Sequence, residues 1–321
     1  MATLLATSWV PEEILESFRD TFDTIQSPVL ENTSFSRTEL FEYLPQADAL
    51  FALAGVKCDR ELIDAGCKLK VICNLGVGYD NIDVQTCTER NIAVINTPSA
   101  VCESTAEYTI ALMMTLCRGT MHYDQFAREN KRTESRCFLH YGMLLYGKTL
   151  GILGFGRIGQ AVARKAKGLG MNIIYYSPSR KPEAEEAIGA TYCSFEEVLQ
   201  RADVVSCHMP YTPKNHYIMN EHTFSLMKNS AYFINAARGP IADEKALIAA
   251  LKNGIIAGAA VDVYEQEPAI SEELTKLENI VLGPHIASNV YETRSAMAKE
   301  ALGGACAILK GVQPPNLVNP K

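Results

Sequence analysis

The chain has 321 residues, 47% of them hydrophobic and 21% charged, with 21 Gly and 14 Pro, which excludes the collagen-like, disordered and disulfide-scaffold classes. That length suits two domains of ordinary size. With 30 Lys and Arg against 37 Asp and Glu the net charge is −7, so the broad basic face of a nucleic-acid or anionic-membrane binder is absent, although a local basic cluster can still take a small anion.

The N-terminus, Met1-Ala-Thr-Leu-Leu-Ala-Thr, has no cationic segment and runs at once into Trp9-Val-Pro, so it reads as a first strand and not a signal peptide. Further strands are expected at residues 49–53, 71–74 and 93–96, after the first at 3–7, with helices such as 11–19 and 59–65 between them. Short β-branched runs separated by amphipathic segments imply βαβ units and a mainly parallel sheet. Thr97-Pro98 interrupts the rhythm, because proline disfavours helix at the residue before it. A long helix is expected from Glu103 to about Leu116. A second series then begins near Thr149, with six strands at 149–153, 172–176, 204–207, 232–235, 259–263 and 280–282. Six strands alternating with helices match a doubly wound nucleotide-binding domain. From about Ser288 there is one more helix and a Pro-rich end, Gln313-Pro-Pro-Asn, expected to pack back on the first domain.

The expected architecture is therefore α/β with two βα domains and a cleft between them. A Rossmann-like cofactor domain takes residues 99–287, and a flavodoxin-like substrate domain takes 1–98 plus 288–321. The strongest apolar run, 110–117, is far too short to cross a bilayer. The 10 cysteines are scattered, with no CxxC pair and no metal-ligand spacing. Free, reduced thiols in a cytoplasmic protein without a metal are the expectation.

Leu153-Gly154-Phe155-Gly156-Arg157-Ile158-Gly159 is a G-x-G-x-x-G between an apolar strand and a helical segment. Gly154 permits the tight turn, Gly156 lets the backbone approach a pyrophosphate, and Gly159 lets helix and strand pack closely. The N–H groups at the helix start, those of Arg157 and Ile158 among them, are then expected to face the anion. The next strand tests which dinucleotide is bound. A free ribose hydroxyl calls for an Asp or Glu at that strand's end. Here the strand ends in Ser177-Pro-Ser179-Arg180-Lys181, with no carboxylate before Glu183. Two hydroxyl donors, a guanidinium that can fork onto phosphate oxygens and a point charge favour NADP(H), with NAD(H) possible.

Three polar residues follow three consecutive apolar strands of the second series: Arg238 after Tyr232-Phe-Ile-Asn235, Glu267 after Val261-Asp-Val263, and His285 after Ile280-Val-Leu282. In a parallel sheet such positions share the carboxyl edge, where these folds bind ligands. A guanidinium, a carboxylate and an imidazole can therefore converge beside a nicotinamide.

With these segments in view the chain resembles the D-isomer-specific 2-hydroxyacid dehydrogenase family over essentially its whole length. The resemblance rests on Asn74-Leu-Gly-Val-Gly-Tyr-Asp-Asn-Ile-Asp83, Glu103-Ser-Thr-Ala-Glu107, the glycine loop, residues 235–240 with Asp243, 258–268 and 284–288. The serine-arginine pattern after the second strand is most similar to the NADPH-dependent glyoxylate/hydroxypyruvate reductase branch. The resemblance implies that Arg238 clamps the substrate carboxylate and polarises its keto oxygen, that His285 exchanges the proton at that oxygen, and that Glu267, chosen over Glu265, orients the imidazole. It implies that Asp262 binds the nicotinamide carboxamide and that Val77 and Gly78 offer backbone N–H groups to the substrate carboxylate. Thr105, His208, Pro210, Thr212 and Ala236 match segments that line the cofactor. Many relatives carry a Trp in the loop before the cofactor domain; this chain reads Ser135-Arg-Cys-Phe-Leu-His-Tyr-Gly142, and its one Trp is Trp9.

The implied function is NADPH-dependent reduction of a small 2-oxo acid, glyoxylate- or hydroxypyruvate-like or 2-ketogluconate, to the D-2-hydroxy acid. A homodimer is implied through the long helix. Two alternatives are a D-3-phosphoglycerate-type or other NAD-dependent dehydrogenase, and a dinucleotide-sensing corepressor-like scaffold that binds the cofactor without turnover.

Overall fold

The computed structural model describes residues 1–27, 34–53, 55–133 and 141–320. The chain divides into two compact units, one from Met1–Val101 with Asn289–Lys321, the other Cys102–Ser288. The crossings thus lie at 101/102 and 288/289 and not at the expected 98/99 and 287/288. The segment after Pro98 still belongs to the first unit, where the Ala100 N–H donates to Glu300 at 3.4 Å.

The first unit holds a five-stranded sheet: β1 (Ala2–Ala6), β2 (Phe22–Gln26), β3 (Ala49–Leu53), β4 (Val71–Leu75) and β5 (Ala93–Ile95), in the order β2-β1-β3-β4-β5. All its pairings are parallel, and the order is the flavodoxin-like doubly wound one. Strand β4 is buried at every position, as expected where helices cover both faces of a sheet. Strand β2 was not anticipated. Its sequence, Phe-Asp-Thr-Ile-Gln, sits at the sheet edge with only Phe22 buried, so it lacks the apolar run that marks a central strand.

The second unit holds seven parallel strands: β6 (Thr149–Leu153), β7 (Asn172–Tyr176), β8 (Ala190–Tyr192), β9 (Val204–Cys207), β10 (Tyr232–Asn235), β11 (Gly258–Val261) and β12 (Ile280–Leu282). Their order is β12-β11-β10-β9-β6-β7-β8. The strand beyond the six expected is again an edge, β8, two of whose three residues are exposed. Along the central strands alternate residues serve opposite cores. Val204, Ile234 and Ala260 join helices Cys102–Arg118 and Arg157–Gly168. Val205, Phe233 and Ala259 face helices Phe195–Arg201 and Glu244–Lys252. The long helix continues past its expected end to Arg118, and after Gly119 a second helix, Thr120–Asn130, buries no residue. Among the described residues no helix is long and apolar enough to cross a membrane, and no His, Cys, Asp and Glu cluster could hold a metal.

Candidate active site

The order of the larger sheet reverses between β6 and β9, since the chain winds through β7 and β8 on one side before returning to β9. Ligands bind at such a switch point, beyond the carboxyl ends of the strands. The glycine loop sits there. Gly154, with φ +96, leaves no room for a side chain, because a Cβ would lie 2.7 Å from the His208 carbonyl carbon and the Met209 nitrogen. At Gly159 a Cβ would meet the Gly154 oxygen at 2.3 Å, so the helix is pressed onto the end of its strand. Gly156 differs: a Cβ there would find nothing within 4 Å. It caps the helix Arg157–Gly168 without any side-chain hydrogen bond, which leaves first-turn N–H groups for an anion. Sterics thus shape two glycines against protein, while the third borders open space. These residues fit a dinucleotide.

Phe155 of the loop is fully buried and stacks on Tyr175 of β7, ring centroids 3.9 Å apart. The Tyr175 hydroxyl donates to Glu185 at 2.6 Å and accepts the Lys181 N–H at 2.8 Å, which fixes the turn after β7. Burial first, and then Glu185, push that phenol up to about 12. In this turn Ser177 is buried, while Ser179 and Arg180 are exposed. The expectation of an arginine awaiting a phosphate needs amending. Arg180 donates Nε and Nη2 to Glu185 at 2.9 and 2.7 Å, so one edge of its fork is already engaged. Glu185, two residues beyond the nearest acid considered from sequence, is the missed partner. An i, i+5 spacing across a turn and a helix start gave no cue to it.

On the other side of the switch point, the His208 Nε2 lies 2.8 Å from the Ser206 hydroxyl. Burial lowers its pKa to about 4, so the imidazole is neutral near pH 7. The following loop is tied by Asn215, whose Oδ1 accepts the Thr212 N–H at 2.7 Å and whose Nδ2 donates to the Pro210 carbonyl at 2.7 Å. Thr105 is buried on the long helix, and Ala236 is half-buried after β10.

Strands β10, β11 and β12 are neighbours, so the loops that carry Arg238, Glu267 and His285 are adjacent. Asn235, buried at the end of β10, accepts the Ala237 N–H and donates to the Arg238 carbonyl at 3.0 Å, an Asx-type turn that sets the arginine's backbone. Gly239 passes so close to Tyr264 that no side chain fits between them. The Arg238 Nη1 donates to the Ala237 carbonyl at 2.8 Å.

Glu267 precedes a cis peptide to Pro268. Its Oε1 accepts the Tyr264 N–H at 3.0 Å, and its Oε2 lies 2.8 Å from the His285 Nδ1. Burial pushes the carboxyl up, but the His285 bond and charge, the Tyr264 N–H and the Arg238 charge outweigh it and hold Glu267 below its usual value. Glu265 is engaged elsewhere, by the Tyr217 hydroxyl. His285 has φ +57, a left-handed conformation unusual for a non-glycine residue, and its side chain remains 40% exposed. With Nδ1 on Glu267, Nε2 has no hydrogen-bond partner among the described residues.

The backbone after His285 is pinned by Asp262, whose two oxygens accept the Ile286 and Ala287 N–H groups at 3.0 and 2.9 Å. Burial raises the Asp262 pKa against these bonds. Tyr108 of the long helix also bonds Asp262, and burial followed by that neighbour pushes its phenol up to about 12. Both oxygens of Asp262 are therefore already committed to positioning the histidine loop, a role that sequence reasoning did not assign. In the first unit Val77 and Gly78 lie half-buried in the loop after β4. The segment 134–140, most of the loop without the Trp, lies outside the described residues.

The family model described as D-isomer specific 2-hydroxyacid dehydrogenase, NAD binding domain, matches residues 110–287. A glyoxylate reductase of Thermococcus litoralis is 48% identical over 289 residues, covering 88% of this chain and 87% of that protein. Among solved structures, the TT0316 protein from Thermus thermophilus superposes with a TM-score of 0.91 at 35% identity, covering 99% of this chain and 100% of that one. An NADPH-dependent glyoxylate/hydroxypyruvate reductase from Sinorhizobium meliloti has a TM-score of 0.85 at 28% identity, over 99% of this chain and 98% of that one. The chain belongs to the D-isomer-specific 2-hydroxyacid dehydrogenase family. It is an oxidoreductase with an NAD(P)-binding domain, and the reduction of 2-oxo acids is its class of reaction.

Proposed function

We propose that the protein reduces a small 2-oxo acid, glyoxylate or hydroxypyruvate ahead of 2-ketogluconate, to the D-2-hydroxy acid with NADPH as the preferred cofactor. The observation that carries this reading is the 2.8 Å pair between Glu267 and the His285 Nδ1, beside the Arg238 charge. The bound cofactor would supply the hydride to C2 of the substrate. Gly154, Gly156 and Gly159, with the N–H groups of Arg157 and Ile158, would hold its pyrophosphate, and Thr105, His208, Pro210, Thr212, Ala236 and Asp262 would line the remainder. Ser177, Ser179, Arg180 and Lys181 would face the ribose and its 2′-phosphate.

Arg238 clamps the substrate carboxylate and polarises the keto oxygen with a planar fork that lysine cannot copy. His285 donates the Nε2 proton to that oxygen as negative charge develops there. In the reverse direction it withdraws the hydroxyl proton. Glu267 holds the ring by Nδ1 and balances the imidazolium. Val77 and Gly78 offer backbone N–H groups to the carboxylate. The name of the Sinorhizobium relative supports NADPH, as does the lack of an acid at the tip of β7. The protein is proposed to be a homodimer. Supporting this, helix Thr120–Asn130 buries nothing in its own chain, and Met121, Tyr141, Leu144 and Tyr146 are exposed.

The test is a panel of glyoxylate, hydroxypyruvate, 2-ketogluconate, pyruvate and phenylpyruvate, each assayed with NADPH and NADH. Glyoxylate or hydroxypyruvate with NADPH should give the highest kcat/KM. Clearly better use of NADH would refute the cofactor assignment, and binding of NADPH without any turnover would favour a sensing scaffold.

A further inference from the structure

Three successive carbonyls in the loop after β4 are gripped by donors of their own unit. Asn74, fully buried, donates Nδ2 to the Gly78 carbonyl at 2.7 Å and, less closely, to the Gly76 carbonyl at 3.4 Å. Asn96 donates Nδ2 to the Val77 carbonyl at 2.8 Å, and the Thr97 N–H reaches the Gly76 carbonyl at 3.0 Å. The grip is itself braced. Asn81 donates to the Asn74 Oδ1 at 3.3 Å, and Asn316, near the C-terminus, donates to the Asn96 carbonyl at 2.8 Å while accepting the Asn96 N–H on its own carbonyl at 3.3 Å.

A trans peptide places the carbonyl of one residue and the N–H of the next on opposite sides. Holding the carbonyls of Gly76, Val77 and Gly78 on these donors therefore turns the N–H groups of Val77, Gly78 and Tyr79 each away from the donor that holds the preceding carbonyl. Among the described residues none of these three N–H groups has a hydrogen-bond partner. Successive unpaired N–H groups form a concavity suited to an anion.

We propose that Asn96 and Asn74 are positioning residues for the substrate. By holding the loop's carbonyls they aim the N–H groups of Val77, Gly78 and, as a third donor, Tyr79 at the carboxylate of the 2-oxo acid. This rests on the reading that the loop receives that carboxylate. The asparagines touch neither substrate nor cofactor; their effect passes through the peptide planes. Asn96 is the better handle, because Asn74 is wholly buried and its loss endangers folding.

The experiment compares wild type with Asn96→Leu, which keeps the approximate shape and removes the donor. The KM for glyoxylate should rise about tenfold with kcat held within about twofold and the KM for NADPH unchanged, the pattern of lost uniform binding. Amide exchange by NMR, with NADPH present, supplies a readout independent of turnover. Oxalate should slow exchange at Val77, Gly78 and Tyr79 in wild type and fail to do so in the variant. A variant that keeps both the wild-type KM and the oxalate protection overturns the proposal, as does one whose glyoxylate and NADPH KM values rise together with a lowered melting temperature. If oxalate protects none of the three amides in wild type, the loop does not receive the carboxylate and the underlying reading falls as well.

Discussion

Each unit carries a glycine-containing loop whose backbone N–H groups are proposed to receive an anion, yet the two are built by opposite means. The loop after β6 is shaped by what is missing: Gly154 and Gly159 have no Cβ because protein atoms lie 2.7 and 2.3 Å from where one would sit. The loop after β4 is shaped by what is present, the Asn74 and Asn96 amides that hold three consecutive carbonyls. Steric shaping falls on the loop's own residues, which must be glycine, and so leaves a short pattern even though the atoms that crowd Gly154 come from His208 and Met209. Shaping by side-chain donors draws on Asn96 and Asn316, distant along the chain, and leaves none.

Both loops are proposed to bind only, and the chemistry is assigned to side chains at the ends of β10, β11 and β12. That division breaks if the imidazole is dispensable. His285→Gln should lower kcat by about 10²–10⁴-fold, the range for a positioned acid–base group, while the NADPH Kd measured by fluorescence titration stays within about twofold. Turnover near the wild-type rate would remove the catalytic reading outright.

The steric account of the first loop is sharpened by two glycines that differ in what surrounds them. At Gly156 a side chain enters open space, so Gly156→Ala should melt within a degree or two of wild type yet bind NADPH about 100-fold more weakly, because the methyl group occupies the approach of the pyrophosphate. Gly159→Ala should lose stability first, since its methyl meets the Gly154 carbonyl. Equal effects on melting and on binding at the two positions would mean that open space at Gly156 has no bearing on the cofactor.

How much of this was legible beforehand follows the same contrast. Central strands such as β4 and β6 declared themselves as apolar runs, and the glycine spacing placed the cofactor loop. Arg238, Glu267 and His285 could be put on one sheet edge because each follows a strand. The edge strands β2 and β8 were missed because half-exposed segments carry mixed polarity. The engagement of Arg180 by Glu185, the hold of Asp262 on the histidine loop and the asparagine grip were missed for a further reason. Each is a side-chain hydrogen bond fixed by tertiary placement, and residue type alone does not announce it.

The wall opposite the glycine loop offers a test of stability. His208 is held neutral, its pKa pulled by burial from 6.5 to about 4. Below pH 6.5 the unfolded chain takes up a proton that the folded one refuses, so this group's contribution is whole above that pH and is lost as pH falls toward 4. Between pH 7.5 and 5 the loss comes to about 2 kcal/mol. Urea unfolding should show His208→Gln with a shallower acid decline than wild type by about that amount. Parallel declines would mean that the ring is solvated and not part of a closed wall.

The smallest effect is expected where backbone and side-chain recognition meet, at the turn after β7. A free guanidinium facing a 2′-phosphate would use both nitrogens of one edge. Here Nε and Nη2 are bonded to Glu185, whose carboxylate also offsets the positive charge. Only the end of the fork that carries Nη1 remains for a phosphate, and the Arg180 side chain is 65% exposed, so water and salt screen it. Arg180→Ala should therefore raise the KM for NADPH by only about 3–10-fold and leave that for NADH unchanged. The NADPH effect should also shrink as salt is raised. A loss of 100-fold or more would show that Glu185 yields the arginine when the cofactor binds, and an equal rise for both cofactors would remove the turn from 2′-phosphate recognition.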